Sequence, residues 1–179
     1  IGGCDCIELA EEFGTPLYVF DEFSLRSRCA EFKAEFWQRY PDTVVAYASK
    51  AFTSKAMVRL VQEEGLGLDV VSEGEMGIAR SVGFPMDKVY FHGNNKSAEE
   101  LRLALQWQVG RIVVDNFDEL ARLSKIAQEQ NSVADILLRL SPGVDPHTHQ
   151  YNTTGIVDSK FGFPWVTVDE AIAAAMAAP

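Results

Sequence analysis

The chain is short of basic charge. Its 179 residues hold 16 Lys and Arg against 26 Asp and Glu, a formal net charge of −10. Nucleic-acid binders need a basic stripe to displace counterions from phosphates, so the balance argues against that class. Cysteine is scarce as well. Cys4, Cys6 and Cys29 form an odd set without Cys-x-x-Cys spacing, which argues against a disulfide framework or a zinc site and for reduced thiols. No apolar run approaches the ~18 residues of a membrane span. The longest candidate, Ala171 to Ala178, is short and mostly alanine, and no basic-then-apolar signal opens the chain. These absences predict a soluble, cytoplasmic protein with no nucleic-acid or membrane partner. Also absent are Gly-x-Gly-x-x-Gly after a strand and Gly-x-x-x-x-Gly-Lys-Ser/Thr, the fingerprints of dinucleotide and nucleotide sites.

What is present is the composition of an ordinary globular protein, 47% hydrophobic and 23% charged, at the length of one domain. Short apolar runs at Val44–Ala48, Leu68–Val71, Lys88–Phe91, Arg111–Val114 and Asp135–Leu140 read as buried strands. Between them, Met57/Leu60/Val61, Leu101/Ala104/Leu105 and Phe117/Leu120/Ala121 have helical spacing. Ser72-x-x-Glu75, Ser97-x-x-Glu100 and Thr167-x-x-Glu170 each fit a capping box. The strands begin 24, 20, 23 and 24 residues apart, a βα period that implies a parallel sheet covered by helices. A doubly wound sheet and a (β/α)₈ barrel both fit, and the missing nucleotide fingerprints favour the barrel.

A barrel needs eight units and ~250 residues, so the five visible units predict an incomplete barrel. Residues 1–40 read as a leading segment: a short helix at Ile7–Phe13, a strand at Leu17–Phe20 and a long amphipathic helix at Phe23–Tyr40. Residues 41–179 read as the first five βα units. Ser141–Val166 is too long for an ordinary connector, and loops of that length usually carry function.

In parallel α/β folds the active site gathers at the carboxyl ends of the strands. Here those ends carry Ser49-Lys50, Ser72-Glu73, His92-Gly-Asn-Asn-Lys96, Asp115-Asn116 and Arg139. Lys50, set among small Ala48, Ser49 and Ala51, either enters a tight pocket where desolvation lowers its pKa for Schiff-base chemistry or snorkels from a strand end. An arginine within an apolar strand, as at Arg139, needs a buried anion or acceptor. His147-Thr148-His149 lacks the carboxylate or cysteine partners of a metal centre and reads as loop, so no metal is expected.

Five ordered motifs carry a resemblance. Tyr47-Ala-Ser-Lys50-Ala, Leu68-Asp-Val-Val-Ser-Glu-Gly-Glu75, Phe91-His-Gly-Asn-Asn-Lys-Ser97, Leu138-Arg139 ahead of Pro142-Gly-Val, and Thr154-Gly with Ser159-Lys-Phe-Gly162 occur in the order seen in the diaminopimelate decarboxylase family. Gly14-Thr-Pro-Leu-Tyr-Val19 matches that family's leading segment. From about residue 7 to 170 the chain resembles these fold-type III pyridoxal-phosphate enzymes, whose barrel is of the alanine-racemase-like type. The resemblance departs at Phe52, where Asn is common, and at Glu73, where Gly is common.

The resemblance implies that Lys50 forms the Schiff base with pyridoxal 5′-phosphate, and that Asp69, His92 and Arg139 lie in the cofactor region. It implies that Lys160 belongs to a loop closing over substrate. It also implies a cytoplasmic homodimer that converts meso-2,6-diaminopimelate to L-lysine and CO₂. The phosphate loop, the acidic partner of the pyridine nitrogen, the substrate-carboxylate arginine and the cross-dimer cysteine are expected beyond Pro179, with the rest of the barrel and a β-domain. The chain alone is then expected to be inactive. Two other functions stay open: a related decarboxylase of a carboxynorspermidine, ornithine or arginine substrate, and a non-catalytic pyridoxal-phosphate-binding barrel.

Overall fold

The structure, a computed structural model, describes residues 1–144 and 161–178. Helices α1 (Cys6–Phe13) and α2 (Glu22–Trp37) lead into β1 (Ala46–Ala48), α3 (Lys55–Glu63), β2 (Gly67–Val70), α4 (Glu73–Ser81) and β3 (Val89–Phe91). There follow α5 (Ala98–Gln106), β4 (Arg111–Val114), α6 (Phe117–Glu129) and β5 (Ile136–Leu138), then β6 (Leu140–Ser141), β7 (Phe163–Pro164) and α7 (Val168–Ala177). Strands β1 to β5 form one parallel sheet in the order β1-β2-β3-β4-β5. Each helix returns the chain to the next strand's starting end, which is the βα progression the spacing predicts.

The helix-facing side of the central strands is apolar because the helices cover it. Leu68, Val70, Val89, Phe91, Ile112 and Val114 are almost wholly buried, and against them lie Val58 and Val61 of α3, Met76 and Ala79 of α4, Leu101 and Ala104 of α5, and Leu123 and Ile126 of α6. These helical residues stand three or four positions apart, so one stripe of each helix meets the sheet. Sheet closure also needs small residues. A Cβ on Gly110, just before β4, would stand 1.9 Å from the Asp87 carbonyl oxygen, so only glycine lets the chain turn into the strand there.

Beyond β5 the sheet progression continues. The Arg139 amide donates to Val114 O at 2.9 Å, its carbonyl accepts from Phe163 N at 2.8 Å, and β6 pairs in parallel with β7. One residue thus ties β4 to β7.

Several sequence expectations need correction. No strand forms at residues 17–20; that stretch is irregular, and Tyr18 is 89% exposed. Helix α2 is not amphipathic in effect, because it buries only Cys29 while Phe23, Phe32 and Phe36 are exposed. It is held instead by charge: Arg26 pairs with Glu63 at 2.6 Å and Glu64 at 2.9 Å on α3 and its end. On α6 the apolar stripe runs through Leu120, Leu123, Ile126 and Ala127, so Ala121 faces outward. The strand expected to run unbroken to Leu140 stops at Leu138, because Arg139 turns its backbone to two different neighbours.

The capping boxes divide three ways. At Ser97 and Glu100 the box is complete. At Ser72 the hydroxyl accepts from Glu75 N, but the Glu75 carboxylate leaves the box for Ser49 and Val71. Thr167 caps nothing, because its hydroxyl donates to Pro164 O at 3.0 Å. Cys4 and Cys6 are exposed, Cys29 is buried, and all three are free.

Candidate active site

Strand alternation places the site. In β2, Leu68 and Val70 face the helices, which turns Asp69 to the opposite face of the sheet. Asp69 is in register with Ala48 and Tyr90, and His92 lies two residues past Tyr90 on the same face. The ladder extends to His92, whose amide donates to Val70 O at 2.8 Å. By the same logic Val114 and Leu138 are in register, so the next residues, Asp115 and Arg139, meet at the strand ends.

A cavity of about 610 Å³ opens there, lined by Lys50, Asp69, His92, the 93–96 loop, Arg139 and Phe161. Four of the five residues singled out in the sequence therefore share one cavity: Lys50, Asp69, His92 and Arg139. Lys160 lies outside the described residues, as do His147 and His149. Among the described residues no three His, Cys, Asp or Glu stand close enough to hold a metal ion.

Lys50 sits in a single 3₁₀ turn, Ser49–Ala51, at the end of β1. Of the two positions open to Lys50 from the sequence, the tight desolvated pocket is not formed by the described residues, because β1 is the outer strand of the sheet and Lys50 is exposed. The turn itself is well fixed. Ser49, 1% exposed, donates to Glu75 Oε2 at 2.7 Å, and the same oxygen accepts from Val71 N at 2.8 Å. Glu75 thereby clasps the ends of β1 and β2 on either side of the cavity.

Asp69 Oδ1 is buried without a hydrogen-bond partner. His92 Nε2 stands 3.8 Å away, too far for a hydrogen bond. Burial pushes the Asp69 carboxyl above the usual carboxylate range, partly opposed by His92 and Lys50. Burial likewise pulls the His92 imidazole below its ordinary value, partly opposed by Asp69. A buried acceptor left unpaired beside an open cavity is suited to a ligand that brings a donor or a positive charge.

Sequence reading noted Lys96 and Asp115 only as rim residues and passed over Glu119. All three are about 2% exposed. Lys96 Nζ donates to Gly93 O at 2.7 Å, Val113 O at 2.7 Å and Glu119 Oε1 at 2.8 Å. Glu119 Oε2 accepts from Asp115 N at 3.3 Å, and Asp115 Oδ1 accepts from Arg139 Nη1 at 3.1 Å. Arg139, the arginine that required a buried anion, finds it in Asp115, and its guanidinium lies 4.6 Å from the centre of the Phe161 ring. The available signal was Asn116-x-x-Glu119, an N-cap spacing confirmed by the Glu119 amide donating to Asn116 Oδ1 at 2.9 Å.

Residues 23–178 match the family model of the pyridoxal-dependent decarboxylase, pyridoxal binding domain. The chain belongs to this family. The diaminopimelate decarboxylase of Bacillus subtilis is 55% identical over 163 residues, which cover 91% of this chain and 37% of that protein. Two crystal structures of the diaminopimelate decarboxylase from m. jannaschii superpose with TM-scores of 0.87 and 0.86 at 35% and 34% identity. The second is a co-complex with L-lysine, and each match covers 99% of this chain and 42% of that one. The chain thus spans about two fifths of the length of these relatives and carries the opening βα units of their alanine-racemase-like barrel. The donor set suits the family's cofactor: an accessible amine at Lys50, an unpaired buried carboxylate oxygen at Asp69 and a guanidinium at Arg139 converge on one cavity.

Proposed function

We propose that the protein containing this chain decarboxylates meso-2,6-diaminopimelate to L-lysine and CO₂, with pyridoxal 5′-phosphate attached through Lys50. The observation that carries this reading is the convergence of Lys50, Asp69, His92 and Arg139 on one cavity at the carboxyl ends of parallel strands. The substrate follows from the relatives, which bear that activity in their names at up to 55% identity, and from the L-lysine complex, lysine being the product of such a reaction.

Bound pyridoxal phosphate supplies the electron sink for loss of CO₂. The chain's own residues orient and tune. Lys50 offers the amine that attaches the cofactor. Asp69 holds a buried negative charge next to it, favouring the protonated form of a nitrogen at that place and accepting its hydrogen bond through the vacant Oδ1. His92, electrically neutral through burial, gives Asp69 a polar neighbour without cancelling its charge. Arg139 presents N–H donors to anionic groups in the cavity. Lys160 belongs to a loop that covers substrate. Residues 1–40 serve as a leading segment to the barrel units of 41–179, and the whole enzyme works as a cytoplasmic homodimer, both in keeping with the family resemblance. Among the described residues no helix is long and apolar enough to cross a membrane.

The test is the visible absorbance of the full-length protein with pyridoxal phosphate. The Schiff-base band is expected in the wild type and absent in Lys50→Ala, with lysine released from diaminopimelate only by the former. A band that persists in Lys50→Ala, or turnover of a different amino acid in preference to diaminopimelate, overturns the reading.

A further inference from the structure

We propose that Asp115 is the positioning residue for Arg139, and that the buried Lys96–Glu119 pair exists to hold Asp115 still. The proposal deepens the cofactor-site reading above and rests on it. Asp115 is 2% exposed, and both of its carboxylate oxygens are engaged: Oδ1 by Arg139 Nη1 and Oδ2 by Gly162 N, each at 3.1 Å. A carboxylate bound at both oxygens has one orientation, so the guanidinium it holds has one as well. Arg139 is itself 28% exposed at the side chain and lines the cavity. Among the described residues Asp115 takes one of its five N–H donors, leaving others for a bound anionic group.

Behind Asp115 stands a rigid support. Its amide donates to Glu119, Glu119 is bound by Lys96, and the Lys96 ammonium is saturated by Gly93 O, Val113 O and Glu119. Lys96 O in turn accepts from Arg122 Nη1 at 2.9 Å. These contacts join the ends of β3, β4 and α6, so the anchor of Arg139 is tied to three elements rather than to a loop. Gly162 closes the arrangement. Its backbone φ is +74°, and a Cβ there would stand 2.7 Å from Arg139 O, so the amide reaches Asp115 only because the position is glycine.

A merely structural ion pair and a positioning residue differ in one respect: the second acts through Arg139. The experiment is a double-mutant cycle on the full-length protein, with the dissociation constant of pyridoxal phosphate as the readout and Asp115→Asn, Arg139→Ala and the double variant as its corners. Asp115→Asn is expected to weaken binding roughly ten-fold, the scale of one charge-assisted hydrogen bond. In the Arg139→Ala background the same change is expected to have little further effect. Equal losses in both backgrounds overturn the positioning role while leaving the cofactor site intact. Unchanged binding in Arg139→Ala overturns the role given to Arg139, and the proposal with it. Should Asp115→Asn not fold, Asp115→Glu runs the same cycle with the charge kept and the carboxylate displaced by one methylene.

Discussion

Replacing Lys96 by methionine removes one ammonium from the interior while keeping a flexible stem of similar length, so packing changes little and the charge effect stands alone. The two side chains of the Lys96–Glu119 pair are 1% and 3% exposed, and their contact is 2.8 Å. Without Lys96, Glu119 Oε1 loses its ammonium partner and only the Asp115 amide faces the other oxygen. Breaking one side of a buried pair typically costs about 3–5 kcal/mol. An upper limit follows from protonation, because Glu119 escapes the penalty by taking up a proton, which from an ordinary pKa of 4.5 costs about 3.4 kcal/mol at pH 7. The expected loss at pH 7 is therefore about 3 kcal/mol.

Burial already raises the Glu119 pKa with Lys96 present, and removing the ammonium raises it further. A folded-state pKa above the unfolded one means stability that is present below pH 4.5 and lost as pH rises toward the folded value. The Lys96→Met penalty should accordingly shrink as pH falls below 7. Urea unfolding of the full-length protein at pH 5.5 and 7 measures both quantities, and Lys96→Met/Glu119→Leu should recover more than half of the loss. A loss under about 1 kcal/mol at pH 7, or one independent of pH over that interval, refutes the view of Lys96 as the counter-charge of a desolvated carboxylate.

Two further outcomes are expected. Asp69→Asn should stabilise the cofactor-free protein at neutral pH by about 1 kcal/mol, because the unpaired buried oxygen then carries no charge. Asp69 has a raised folded pKa, so its favourable contribution exists below pH 3.8 and is lost as pH rises; the gain in thermal midpoint should fade toward pH 4 while cofactor binding weakens at every pH. At the helix starts, Ser97→Ala should cost about 1 kcal/mol in denaturant unfolding, and Thr167→Ala, which removes no cap from α7, at most half of that.

The alternation of apolar runs with helical spacings made the parallel βα order legible, because a short apolar strand and a helix buried on one stripe leave different periods in the chain. Residues at strand ends were legible for the same reason: once the strands are placed, Lys50, His92 and Arg139 fall on one rim. Asp69 came from the motif resemblance, and its geometric sense from the flanking Leu68 and Val70. What periodicity misplaced were features with no local cause. Helix α2 has apolar residues without a covered face, Thr167 has the spacing of a cap without the backbone angle, and Glu75 has the spacing of a box yet serves the neighbouring strand.

By itself the sequence determined the order of elements, the faces of the strands and the side chains offered to the rim, all consequences of local stereochemistry and of burying apolar surface. Only the tertiary structure decided which charges meet. Lys96 and Glu119 are 23 residues apart, and Asp115 and Arg139 are 24 apart. Their pairing depends on strand register and on the desolvation that follows from it. Once water is excluded, a buried charge must find a partner wherever the fold brings one, and no local pattern records that choice.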